Sequence, residues 1–302
     1  MTATIDIIPR LIELELTQAC TLACSHCLTD SRPGAGHGAM TLADWLRAVE
    51  QAAEAGTETI QLIGGEPTVS PHWRPVLERA LSLGMQVQVY SNLYSITARM
   101  WEVFARDGVS LATSYYSDVA AEHDRVTGKP GSHARTRTNI TEALRRGIRI
   151  QVGIVRVLDG QRADEARAEL VGLGVPGAAI RIDRVREVGR ANPAEGDAAA
   201  SELCGRCGDG RAAILPDGTV APCVLGRGLK AGNLADDGAT LGSILTSPTW
   251  GQIMSQIPRR ASDPCTPDDS NDCDPARTTA CNPAYKSAGA ALPYPVIRLA
   301  AE

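Results

Sequence analysis

Short apolar runs alternate with amphipathic stretches along the first 185 residues, the pattern of parallel strands joined by crossover helices. Leu11 to Leu16 reads as a first strand. Thr41 then opens a helix as its N-cap, with Asp44 in the first turn and Leu42, Trp45, Leu46, Val49 and Ala53 at helical spacing up to Gly56. Thr59 to Ile63 is a second strand, Trp73 to Leu83 a helix, Gln86 to Tyr90 a third strand, and Ile96 to Ala105 a helix. Val109 to Ser114, Ile148 to Val155 and Ala179 to Asp183 supply three more strands, separated by helices near Ala134 to Arg146 and Arg162 to Leu173. About six β/α units predict an α/β fold, a partial (β/α)6 TIM-like barrel. The alternation stops in GRANPAEGDAAAS (189–201), which reads as a linker, so a barrel over 1–192 and a small second domain over 193–302 are expected. The second part holds an Asp-Gly hairpin signal in AAILPDGTVAPCVL, then a Pro/Asp/Cys-rich stretch from Asp263 to Pro283 without periodicity. Such a stretch buries too little apolar surface to order itself and needs a bound metal as organiser.

Composition narrows the function. Of 302 residues, 43% are hydrophobic and 4% aromatic, and the net charge is −5, which favours neither a phosphate-tracking basic surface nor a base-stacking platform. Nucleic acid is therefore not expected as a partner. No apolar run reaches membrane-span length, and MTATIDIIPR lacks the features of an export signal, so a cytoplasmic protein without membrane contact is expected. Nine cysteines in a reducing compartment argue for metal over disulfides. They fall into two groups: Cys20, Cys24 and Cys27, and then Cys204, Cys207, Cys223, Cys265, Cys273 and Cys281.

The first group stands in ELTQACTLACSHCLTD, directly after the first strand, as C-x3-C-x2-C. Three thiolates in eight residues can face one point, yet they leave a cubane [4Fe–4S] cluster one ligand short. A zinc site would call for four protein ligands, and His26 is a poor fourth because it adjoins Cys27. After the second strand comes QLIGGEP, with Gly64, Gly65, Glu66 and Pro67; glycines at a strand's carboxyl end let backbone approach a ligand closely. YSNL places Ser91 and Asn92 after the third strand, and RIDRVREVGR places Arg184 and Arg190 after the sixth.

The three-Cys loop with GGEP in register behind it resembles the radical SAM superfamily. The resemblance implies a cluster on Cys20, Cys24 and Cys27 whose open iron chelates S-adenosylmethionine. It implies that GGEP holds the methionine amino group with Glu66 as anionic partner, and that His26 lies near the adenine. It also implies that Ser91 and Asn92 face the nucleoside, and that Arg184 or Arg190 lies near the cofactor's carboxylate. The chemistry implied is reductive cleavage to methionine and a 5′-deoxyadenosyl radical that takes a hydrogen atom from substrate. Tyr90, Tyr115, Tyr116, Asp118 and Asp183 stand where a base or hydrogen donor is expected.

The second group begins CGRCGDGRAAILPDGTVAPC, where the hairpin can return Cys223 to the Cys204/Cys207 pair. This resembles the twitch and SPASM extensions that bind auxiliary iron–sulfur clusters, although Cys265-x7-Cys273-x7-Cys281 departs from the full SPASM spacing. At least one auxiliary [4Fe–4S] cluster is implied, on Cys204, Cys207, Cys223 and a downstream cysteine such as Cys281; a structural zinc is the alternative. The resemblance is strongest to peptide-modifying maturases, which implies a precursor peptide as substrate for crosslinking or epimerisation, either a separate recognition protein or a short leader, and a reductant such as flavodoxin or ferredoxin. The runner-up is a dehydrogenase of sugars or cyclitols in antibiotic biosynthesis. A non-enzymatic electron-transfer or zinc-scaffold protein would have no need of an open iron.

Overall fold

The computed structural model describes residues 9–193, 200–203, 205 and 207–258. Cys204, Cys265, Cys273, Cys281 and the stretch from Asp263 to Pro283 lie outside the described residues. Six strands, β1 (Leu11–Glu15), β2 (Thr59–Ile63), β3 (Gln86–Tyr90), β4 (Val109–Ser114), β5 (Ile150–Arg156) and β6 (Ile180–Arg184), pair in sequence order, each parallel to the next. Between them run α1 (Leu42–Glu54), α2 (Trp73–Ser82), α3 (Ala98–Phe104), α4 (Ala120–Thr127), α5 (Ser132–Arg145) and α6 (Ala163–Gly172). The sheet is open, because β6 and β1 do not pair.

Local chemistry explains where the helices start. Thr41 accepts the N–H of Asp44, whose carboxylate accepts the N–H of Thr41 at 2.9 Å, a reciprocal cap of α1 contributing about 1 kcal/mol. Past its end, Gly56 takes the left-handed conformation at φ 89° that a chain reversal requires. Trp45, Ala48, Val49 and Ala52 of α1 are fully covered against Ile12, Leu14, Ile60 and Leu62 of the sheet. Burying each of the larger side chains stabilises the fold by about 2 kcal/mol.

The opposite face of the sheet is polar. Glu13, Gln61 and Gln88 stand in register across β1, β2 and β3, all buried, and Gln61 Nε2 donates to Gln88 Oε1 at 2.6 Å. Glu15 is 0% exposed. These carboxylates meet cations from beyond the sixth unit, where β7 (Arg211–Ile214), β8 (Thr219–Ala221) and β9 (Gly232–Asn233) continue the same sheet. β7 runs parallel to β1 with Leu11 opposite Arg211, while β8 adds antiparallel to β7 around the Asp217-Gly218 turn and β9 adds antiparallel to β8. Arg211 lies 3.4 Å from Glu13, and Arg227 lies 3.0 Å from Glu15. Two short helices, α7 (Leu241–Leu245) and α8 (Pro248–Gln256), close the described chain. Among the described residues no helix is long and apolar enough to cross a membrane.

Candidate active site

The cysteine loop leaves the carboxyl end of β1, and neighbouring segments hold it through its backbone. Gly65 donates its N–H to Thr17 O at 2.8 Å and Glu66 donates to Ala19 O at 2.9 Å, so GGEP lies strand-like against the loop's entry. A Cβ on Gly65 would stand 2.4 Å from Ala19 O, and one on Gly64 2.7 Å from Thr17 O, which is why this approach takes glycine twice. On the far side, Ala23 N donates to Thr127 O and Ser25 N to Val126 O, both at 3.0 Å, fastening the loop to the end of α4.

Glu66 is 2% exposed and spends its carboxylate on the protein. Oε1 accepts from Thr68 N and, at 2.6 Å, from Thr68 Oγ1; Oε2 accepts from Ser91 Oγ at 3.1 Å and Asn92 N at 2.8 Å. Burial raises its pKa, and these donors work in the other direction. The resemblance implies an anionic partner for the cofactor's ammonium; within the protein this carboxylate joins the turn after β2 to the turn after β3. Asn92 continues the chain of contacts, its Nδ2 reaching Thr21 Oγ1 at 3.0 Å and Cys20 Sγ at 3.6 Å. Next to it, buried Leu93 holds a left-handed backbone at φ 54°, and Asp30 in the cysteine loop does likewise at 51°. Strain of that kind gathers where surrounding contacts fix a functional turn.

Arg190 reaches the same loop from beyond β6. Its guanidinium donates to Cys24 O at 2.5 Å and Ser31 O at 2.7 Å and pairs with Asp30 at 2.9 Å, while its backbone N–H donates to Cys27 O. A Cβ on Gly189 would fall 2.4 Å from the carbonyl oxygens of Cys27 and Leu28. Arg190 thus clamps the loop. Arg184 pairs with Glu202 at 2.8 Å instead of joining the loop. His26 sets its ring against Tyr116 at 5.1 Å in T-shaped contact, and its buried Nδ1 has no hydrogen-bond partner among the described residues.

The three sulfur atoms of the loop are half-buried. Burial, reinforced by neighbouring sulfurs, pushes the Cys24 thiol to about 12, and burial pushes Cys20 to about 11, so both stay protonated at neutral pH unless a cation binds them. Leu22 N donates to Cys20 Sγ at 3.4 Å and Ser31 N to Cys27 Sγ at 3.3 Å, the kind of N–H···S contact that tunes a bound cluster. Among the described residues, no group of three or more His, Cys, Asp and Glu is gathered so as to hold a single metal ion. In the second group, Cys207 and Cys223 are buried with their sulfurs 3.0 Å apart, brought together by the hairpin, and Gly226 N donates to Cys223 Sγ.

The remaining candidates divide. Tyr90, with Ala112, Gln151, Gly153 and Arg181, lines a pocket on the polar face of the sheet, its hydroxyl 3.2 Å from Ser114 Oγ. Asp183 is held by Arg184 N and Arg186, with its pKa raised by burial. Tyr115 is turned toward the outer helices, its hydroxyl 2.6 Å from both His133 and Glu169, and Asp118 pairs with Arg162 at the surface. The buried acids Glu13 and Glu15 carried a signal in LIELE, where charge alternates with apolar residues inside a parallel strand.

The AdoMet-dependent heme synthase of Methanosarcina barkeri is 32% identical over 139 residues, covering 46% of this chain and 40% of that protein. The PqqA peptide cyclase of Rhodopseudomonas palustris is 26% identical over 129 residues, covering 42% of this chain and 34% of that protein. The chain thus spans less than half the length of these curated relatives. Among solved structures, Streptococcus suis SuiB bound to precursor peptide SuiA superposes with a TM-score of 0.66 at 16% identity, over 82% of this chain and 67% of that one, a likeness of fold. The Radical SAM superfamily profile matches residues 14–171, which hold the three-Cys loop, GGEP and the Ser91–Asn92 turn, and the chain belongs to that superfamily of enzymes.

Proposed function

We propose that Cys20, Cys24 and Cys27 hold a [4Fe–4S] cluster that cleaves S-adenosylmethionine, and that the reaction modifies a ribosomally made peptide by crosslinking or epimerisation. The observation that carries the first half is the backbone pairing of GGEP with the loop entry, Gly65 N to Thr17 O and Glu66 N to Ala19 O, which sets the GGEP turn beside the loop that carries the three thiols. When bound, the cluster supplies one electron to S-adenosylmethionine, releasing methionine and leaving the adenosyl group to take hydrogen from substrate. Glu66 and Asn92 fix the turn that faces the cofactor, Arg190 fixes the loop, and Cys207 with Cys223 serves an auxiliary cluster completed by Cys204 and a downstream cysteine. The decisive experiment replaces the three loop cysteines by Ala, reconstitutes without oxygen and measures 5′-deoxyadenosine after reduction. Undiminished product would overturn the assignment.

Two names support the peptide half: the PqqA peptide cyclase and SuiB, whose structure holds a precursor peptide. A neighbouring short peptide should leave with a mass change of about −2 for a crosslink or 0 for an epimer, and should deliver deuterium from the target carbon to 5′-deoxyadenosine. The heme synthase among the relatives favours a second reading, a small-molecule substrate. Deuterium transfer from a small molecule, with none from any neighbouring peptide, would select that reading.

A further inference from the structure

We propose that the corner between α4 and α5, with Arg125 on α4 and Lys129 and Arg135 over the ring of Tyr94, is the docking surface for an acidic one-electron donor protein. The proposal rests on the reading above that the cysteine loop holds a reducible cluster. Reduction moves one electron from the donor, which is oxidised by that one electron, into the loop's cluster, so the donor must settle on the protein surface nearest the loop.

Among the described residues, this corner borders the loop directly. The carbonyls of Val126 and Thr127 accept the N–H groups of Ser25 and Ala23, and Gly128 lies so close that a Cβ there would stand 2.9 Å from Ala23 O. Ala23, between Cys20 and Cys24, is exposed, as are Arg125, Lys129 and Arg135. Tyr94, two residues from the Asn92 that touches Cys20, carries both Arg135, 4.9 Å from its ring centre, and Lys129, 5.7 Å away. One ring thus holds two cations in place.

Their charge is uncommitted. Nearby cations are matched, Arg137 to Glu169, Arg145 and Arg146 to Glu142, and Arg162 to Asp118. Arg125, Lys129 and Arg135 have no carboxylate at ion-pair distance among the described residues. Asp124, the acid within the corner, turns its carboxylate to Gly131 N, Ser132 Oγ and His133 N. On a chain of net charge −5, an acidic partner is repelled in general and drawn to a local cationic patch, which sets its orientation as well as its rate.

The test compares two reductants on the reconstituted full chain, a flavodoxin reduced by its NADPH-dependent reductase and the small anion dithionite, each followed by 5′-deoxyadenosine formation. In the triple variant Arg125→Glu, Lys129→Glu, Arg135→Glu, the flavodoxin-driven rate at low salt should fall at least about ten-fold and lose most of its salt dependence, with the dithionite-driven rate within about two-fold of the parent. The milder pair Arg125→Gln, Lys129→Gln should give a smaller loss of the same kind. Equal flavodoxin rates in parent and triple variant would overturn the docking surface while leaving the cluster assignment standing. A parent protein that yields no product with dithionite would remove the cluster reading, and the docking surface with it.

Discussion

Glu66 Oε2 accepts the backbone N–H of Asn92 at 2.8 Å, which makes the turns after β2 and β3 one unit rather than two independent loops. Both oxygens of this buried carboxylate are filled. Glu66→Gln keeps the volume but turns an amide donor toward groups that themselves donate, at a cost of about 2 kcal/mol. Chemical denaturation of the apoprotein should show that loss, together with weaker S-adenosylmethionine binding. Weaker binding at unchanged stability would mean that Glu66 acts on the ligand alone.

Arg190 should govern cluster retention. Arg190→Ala removes the donors to Cys24 O and Ser31 O and the pair with Asp30, and Arg190→Lys cannot span both carbonyls with one ammonium. Both variants should fold, bind iron during reconstitution, and lose it faster than the parent on gel filtration. Equal iron retention in the Lys variant would show that charge suffices and the fork does not matter.

The chain should weaken in mild acid partly through His123. Burial, with His133 beside it, lowers this imidazole to about 4, so the folded protein holds it neutral while the unfolded chain protonates near 6.5. Its contribution is fully present above the unfolded value and is lost as pH falls from about 6.5 through 4, a change of about 3 kcal/mol. In His123→Gln, which keeps an acceptor for Tyr116 N, unfolding free energy should fall less steeply between pH 7 and 4.5. Parallel pH profiles would contradict this.

The second cysteine group should bind iron without the first. With Cys20, Cys24 and Cys27 all replaced by Ala, the protein should keep about four irons for one auxiliary cubane, or about eight for two. Zinc without iron would assign Cys207 and Cys223 to a structural site instead.

The six β/α units were legible because strands buried between helices read as apolar runs and Thr41 announces α1. α4 is not legible because AAEHDRVT is short and weakly periodic, nor are α7 and α8, because their stretch is rich in small polar residues, although Thr240 and Ser247 cap them. In the site, motif order predicted that the loop, GGEP and the Ser91–Asn92 turn would meet, since all three follow successive strands. What Glu66 and Arg190 touch was hidden, because hydrogen-bond direction depends on side-chain placement across sequence separations of 26 and 166 residues.

The pairing of β7 with β1 bears on how the molecule could be dissected. A chain cut at residue 192 would strip hydrogen-bond partners from the very strand that delivers the cysteine loop, leaving an open edge prone to recruiting another chain. Glu13 would lose Arg211, and Glu15 would lose Arg227. Two buried acids would then each lose a cation that the hairpin region supplies, at a cost of several kcal/mol. The first 192 residues are thus unsuited to use as an autonomous cassette, and chimeras that exchange the C-terminal portion should carry the β7 to β9 hairpin region across with the barrel it completes.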